Sequence, residues 1–78
     1  MVNVTIEYCG SWGYEPRMKE LRSAIKEAVP SAQVEDKVGR RSSFEVTVDG
    51  TVIHSKLATM GFPNNEQVAT IVSEVAAG

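Results

Sequence analysis

The chain has 78 residues, 42% hydrophobic and 23% charged, with a formal net charge of −2. That composition excludes a disordered segment, the slight negative charge argues against a nucleic-acid binder, and no run of ~18 apolar residues offers a transmembrane helix. A chain this short forms one domain, 1–78, whose single core buries only about 60% of the surface exposed on unfolding and leaves little room for a deep cavity.

Val2, Val4, Ile6 and Tyr8 alternate with Asn3, Thr5 and Glu7, the period of a strand with one apolar face. Gly10 and Gly13 bracket a loop beginning at Cys9. Pro16 suits the first turn of a helix, where its missing N–H is not needed. Met18, Leu21, Ile25 and Ala28 recur at three- and four-residue steps and give that helix an apolar face. Pro30 disfavours helical geometry at Val29 and ends it. A second strand is expected over Ala32 to Lys37, with Ala32 and Val34 inward. Gly39 to Ser43 reads as a polar loop, and the basic Lys37, Arg40 and Arg41, beside Glu35 and Asp36, as a solvated cluster.

Phe44, Val46 and Val48 alternate with Glu45 and Thr47, and Thr51 to Ser55 returns after Asp49-Gly50. Asp-Gly between alternating runs predicts a hairpin with a two-residue primed turn. Its regular register sets Val46 opposite Ile53 and Glu45 opposite His54. Lys56 to Phe62 reads as a connecting loop. Pro63 and Asn64 start the last helix, with Asn64 as N-cap, Gln67 completing a capping box, and Val68, Ile71, Val72 and Val75 as the apolar stripe. The order β-α-β-β-β-α predicts an α+β two-layer sandwich: a four-stranded mixed sheet in order 2-1-3-4 with both helices on one face.

Chemistry is expected where the first strand hands over to the first helix. Cys9 sits just before that helix N-terminus, where free N–H groups and the dipole favour a thiolate, and Ser11 is placed to add a hydrogen bond. The competing reading is a small buried hydrophobe. Cys9 is the only cysteine and His54 the only histidine. A disulfide scaffold and a zinc site are therefore not expected, and His54 reads as a cross-strand partner of Glu45. Tyr8, Trp12, Tyr14 and Phe62 are partly core, while Trp12 and Phe62 fall in loops and are candidates for an apolar contact patch. The cytoplasm is the expected compartment and a monomer the expected state. Asn3, Thr5 and Glu7 break any signal-peptide core, and Val75-Ala76-Ala77-Gly78 is no prenylation box.

The segment Ile6-Glu7-Tyr8-Cys9-Gly10-Ser11-Trp12-Gly13-Tyr14 resembles the redox loop of the Rdx, or selenoprotein W, family. That loop reads Tyr-Cys-x-x-selenocysteine-Gly-aromatic, or carries cysteine in the selenocysteine place. Phe44-Glu45-Val46 and Val52-Ile53-His54-Ser55-Lys56 also match, and Leu57 and Gly61-Phe62-Pro63 resemble the migration and invasion enhancer branch. The resemblance runs from about Val2 to Val75. It implies a thioredoxin-like fold, thiol or selenol redox work on disulfides linked to glutathione, no bound cofactor, and partners such as 14-3-3 proteins. It assigns the catalytic positions to Cys9 and Trp12, with Gly10, Ser11, Gly13 and Phe62 as loop and contact residues.

Trp12 departs from the pattern, since a Cys-x-x-Trp loop cannot close an internal bond. No cis-proline is expected either, because Ser43 precedes the third strand, and no prenylated tail like that of the enhancer branch is expected. Two readings of Trp12 stand. Either redox cycling has been lost, or tryptophan stands for selenocysteine, whose codon UGA differs by one base from that of tryptophan. The intact glycine and aromatic pattern around it favours the second. The leading expectation is a redox protein inactive for cycling as written. The alternative is a non-catalytic binding module using the Cys9–Trp12 and Met60–Pro63 loops.

Overall fold

The structure is a computed structural model describing residues 1–78. Its elements are β1 (Asn3–Tyr8), α1 (Tyr14–Ala28), β2 (Gln33–Val38), β3 (Phe44–Val48), β4 (Thr51–Ser55), α2 (Lys56–Thr59) and α3 (Asn65–Ala77). The sheet order is β2-β1-β3-β4, with β1 and β2 parallel and the other pairs antiparallel. This is the expected four-stranded mixed sheet.

The period-two pattern decides which face is covered. Val4, Ile6 and Tyr8 of β1 stand opposite Val48, Val46 and Phe44 of β3. All six are buried, in one cluster with Met18, Leu21 and Ile25 of α1 and Val68 and Val72 of α3. Both long helices therefore cover the same face. Thr5, Glu7, Glu45 and Thr47 occupy the other face of the same strands, where no long helix lies.

Helix α1 starts after Gly13, whose φ of 94° puts the backbone in the left-handed region. It ends as Lys26 donates to the Pro30 and Ala32 carbonyls, at 3.2 and 2.8 Å. Ala28, expected on the apolar face, is exposed, and Val29 is buried in its place. β2 begins one residue later than expected and runs to Val38. Ala32 is buried just ahead of it, and Val34 is partly buried against the core. At the far end, Asn64 Oδ1 accepts the Gln67 N–H at 3.0 Å and caps α3, although the Gln67 side chain makes no return bond. Val68 and Val72 hold the buried stripe with Ala69, whereas Val75 is exposed.

Two expectations in the hairpin region are corrected. The Asp49-Gly50 turn forms as expected, with φ of 48° and 85°. Beyond it a β-bulge between Val46 and Thr47 shifts the register, so Val46 faces His54 and Glu45 faces Ser55. Ile53 is the extra residue, and it packs against the core. An added residue of this kind re-aims every side chain after it. Lys56 to Thr59 is a short helix rather than loop. Ser55 Oγ caps it by accepting the Ala58 N–H at 3.2 Å, and Met60 closes it in left-handed geometry. One turn of helix is too short for a periodicity to reveal.

Candidate functional site

Cys9 is held by both flanking segments. Its N–H donates to the Ser43 carbonyl at 2.9 Å, extending the β1–β3 ladder past the end of β1. Its thiol lies 3.1 Å from Ser11 Oγ, to which it donates, and the Ser11 N–H donates to Sγ at 3.4 Å. The residue is 4% exposed.

The thiol is held below its ordinary pKa. The Ser11 side chain contributes most, followed by the Ser11 N–H and the Ser42 N–H; burial opposes them, and the Arg41 charge assists. Each of these groups favours the anion: the Ser11 hydroxyl accepts from the thiol but can donate to a thiolate, and a thiolate accepts N–H bonds more strongly than a thiol. Cys9 is thus neither a plain buried hydrophobe nor an open thiol. It is a buried sulfur with an anion-stabilising shell.

Trp12 is 100% exposed. It flanks a shallow surface hollow formed with Gly10, Ser11, Gly13, Glu15 and Pro16. The left-handed Gly13 turns the chain from this loop into α1, and a side chain there would be strained. A Cβ on Gly10 would meet Val38 Cγ1 at 3.0 Å, so Gly10 lets the loop pass close to the end of β2.

Phe62 lies elsewhere. Its ring packs between Tyr14 and Phe44, with centroids 5.4 and 5.3 Å away, and the Arg17 guanidinium stacks over it at 4.0 Å. Phe62 and Pro63 line a second hollow of about 280 Å³ with Arg17, Glu20 and Asn64. Trp12 and Phe62 therefore line separate depressions. Met60 is exposed in the loop before Phe62.

His54 is also not the partner of Glu45. Its Nε2 pairs with the Gly61 carbonyl at 2.8 Å and ties β4 to the Phe62 loop. The bulge is the cause, since it places Ser55 opposite Glu45, and the Ser55 hydroxyl donates to that carboxylate. Burial pushes the Glu45 carboxyl up, but hydrogen bonds from Ser55 and from the Leu57, Phe44 and Lys56 N–H groups outweigh it and hold the carboxyl below the ordinary range.

Sequence reasoning missed the turn from Arg40 to Ser43. Ser43 is fully buried with its hydroxyl unpaired, and Ser42 has a φ of 63°. Polar residues at these positions look like solvent-facing loop, and only the strand pairing brings them beside Cys9. No peptide bond is cis, and no His, Cys, Asp or Glu cluster could hold a metal ion. No helix is long and apolar enough to cross a membrane.

Residues 3–74 match the Rdx family. Migration and invasion enhancer 1 of Mus musculus is 32% identical over 77 residues, covering 99% of this chain and 67% of that protein. Selenoprotein W of Gallus gallus is 32% identical over 80 residues, covering 97% of this chain and 94% of that one. A selenoprotein W-related protein of Vibrio cholerae superposes with a TM-score of 0.77 at 18% identity, over 95% of both chains. The fold is thioredoxin-like, family membership supports a redox-type role, and the chain belongs to the Rdx family.

Proposed function

We propose that this chain carries the frame of a disulfide-reducing redox loop, with position 12 as the attacking group and Cys9 as the resolving thiol. One observation carries the reading. Position 12 is fully exposed, while Cys9, three residues earlier, is buried in a shell that favours its thiolate. An exposed nucleophile and a shielded second thiol divide the work of thiol–disulfide exchange.

With selenium or sulfur at position 12, the anion attacks one sulfur of a substrate disulfide. A mixed bond forms and the other substrate sulfur leaves as a thiolate. The Cys9 thiolate then attacks the position-12 atom, closes the bond from 9 to 12 and releases the second thiolate. The substrate gains two electrons and the loop loses two, which an external thiol such as glutathione restores. Tryptophan has no nucleophilic atom of this kind. As written, the chain is limited to one mixed disulfide at Cys9.

Glutathione as reductant, a 14-3-3 protein as binding partner and the cytoplasm as compartment are proposed on family resemblance, and a reducing compartment suits a single free cysteine. Exposed Trp12 and Met60 favour a second reading, a protein-contact module without chemistry. Incubation of Trp12→Cys with glutathione disulfide, followed by intact mass, separates the two. The redox reading expects a glutathione adduct at position 12 that gives way to an internal bond from 9 to 12 as Cys9 displaces the glutathione thiolate. A folded variant that keeps the adduct and never closes that bond would favour the contact module.

A further inference from the structure

Glu7 and Glu45 stand directly opposite each other on the open face of the sheet, and Lys37 flanks Glu7 from β2. Like charges so placed repel. Arg40 lies between them. Its Nε and backbone N–H each donate to Glu7 Oε2 at 2.9 Å, its Nη2 donates to Glu7 Oε1 at 3.2 Å, and Nη2 is 3.8 Å from Glu45 Oε1. A surface ion pair contributes little by itself. This one also grips the main chain.

The grip leads to Cys9 through consecutive backbone bonds. The Glu7 side chain lies flat on Gly39, where a Cβ would come within 2.3 Å of Glu7 Cγ. The Gly39 N–H donates to the Tyr8 carbonyl at 2.9 Å. The Arg40 carbonyl accepts the Ser43 N–H at 3.1 Å and closes a tight turn through Ser42, which is in left-handed geometry. The Ser43 carbonyl then accepts the Cys9 N–H. Lys56 Nζ donates to the Ser42 carbonyl at 3.3 Å and braces the turn from β4.

We propose that Glu7 and Arg40 are positioning residues for Cys9, their clamp holding the Arg40–Ser43 turn whose Ser43 carbonyl takes the Cys9 N–H. Neither touches the thiol. They act by fixing a strained turn that would otherwise relax, since a serine at positive φ persists only where its surroundings hold it. The proposal rests on the reading of Cys9 as a redox thiol and adds the device that tunes it.

The test is the pH dependence of Cys9 alkylation by iodoacetamide in the full chain, in Glu7→Gln, Arg40→Ala and Arg40→Lys, with amide NMR of Ser42 and Ser43 alongside. Glu7→Gln and Arg40→Ala should raise the apparent pKa and slow alkylation at pH 7 roughly threefold. The Ser42 and Ser43 amides should shift while those of Val4 and Val72 do not. Arg40→Lys should fall between, since lysine keeps the charge but not the fork. An unchanged pKa in both disruptive variants would overturn the positioning role and leave the redox reading standing. An unmodified chain titrating at or above about 8.5, the free-thiol value, would overturn both. Should Glu7→Gln fail to fold, Arg40→Ala, which removes a side chain 65% exposed, decides alone.

Discussion

At the scale of single residues, the site is a contrast between positions 9 and 12. Cys9 is buried and hydrogen-bonded, while Trp12 is fully exposed. An indole without a pocket has no packing to lose, so Trp12→Ser should change unfolding stability by no more than about 0.5 kcal/mol in urea denaturation. A loss above about 2 kcal/mol would mean that the loop is built around a genuine tryptophan. Burial makes a different statement about Cys9. Ser11→Ala removes the largest contribution to its lowered pKa and should move the alkylation profile to higher pH. Cys9, Ser11 and the loop glycines were legible from spacing alone. Ser43, Ser42 and Arg40 were not, because their relation to the thiol depends on strand pairing 34 residues away in sequence, at the bond from Cys9 to Ser43.

Among the elements, those with a clear period were legible and the irregular ones were not. Alternation placed β1 and β3, Asp49-Gly50 placed the turn, and Asn64 placed the start of α3. The β4 bulge escaped because nothing local in Thr51–Ser55 distinguishes a regular ladder from one with an extra residue. Its consequences are large: it brings Ser55 to Glu45, sends His54 to the Gly61 carbonyl and starts α2. Glu45 also accepts the Leu57 N–H at 3.3 Å, so it joins β3 to the first turn of α2. Glu45→Ala leaves those partly buried donors without their partner and should cost about 1 kcal/mol in denaturant unfolding. Asn64→Ala should cost about 1 kcal/mol through loss of the cap.

The same face predicts how stability responds to acid. Arg40 holds the Glu7 carboxyl at about 2, down from the ordinary 4.5, through its side-chain and backbone hydrogen bonds. A carboxyl depressed on folding contributes stability that is complete above its unfolded pKa and lost as pH falls toward its folded one. The window runs from pH 4.5 down to about 2. Arg40 is largely exposed, so screening keeps the effect small. Thermal unfolding of Glu7→Gln against the parent chain should show a difference at pH 6 that shrinks toward pH 2. A difference constant across that range would mean that the pair contributes packing rather than charge.

Across the whole molecule, one core holds everything. Ile6 and Val46 meet at its centre, both at 0% exposure, between the sheet and the two long helices. Ile6→Ala should cost about 2–5 kcal/mol, a large share of the stability of so small a domain. Architecture was legible in the sequence because each strand of the central pair carries a strict apolar face and the connections leave one economical topology. The loop between β1 and α1 lies at the end of this rigid pair, so its geometry is set by the core rather than by tryptophan at position 12. Trp12→Cys tests that claim most directly, with intact-mass spectrometry after mild oxidation of the folded variant. The account predicts a loss of two hydrogens, reversed by a dithiol, as an internal bond closes between positions 9 and 12. A correctly folded variant that forms only intermolecular dimers or glutathione adducts would contradict it.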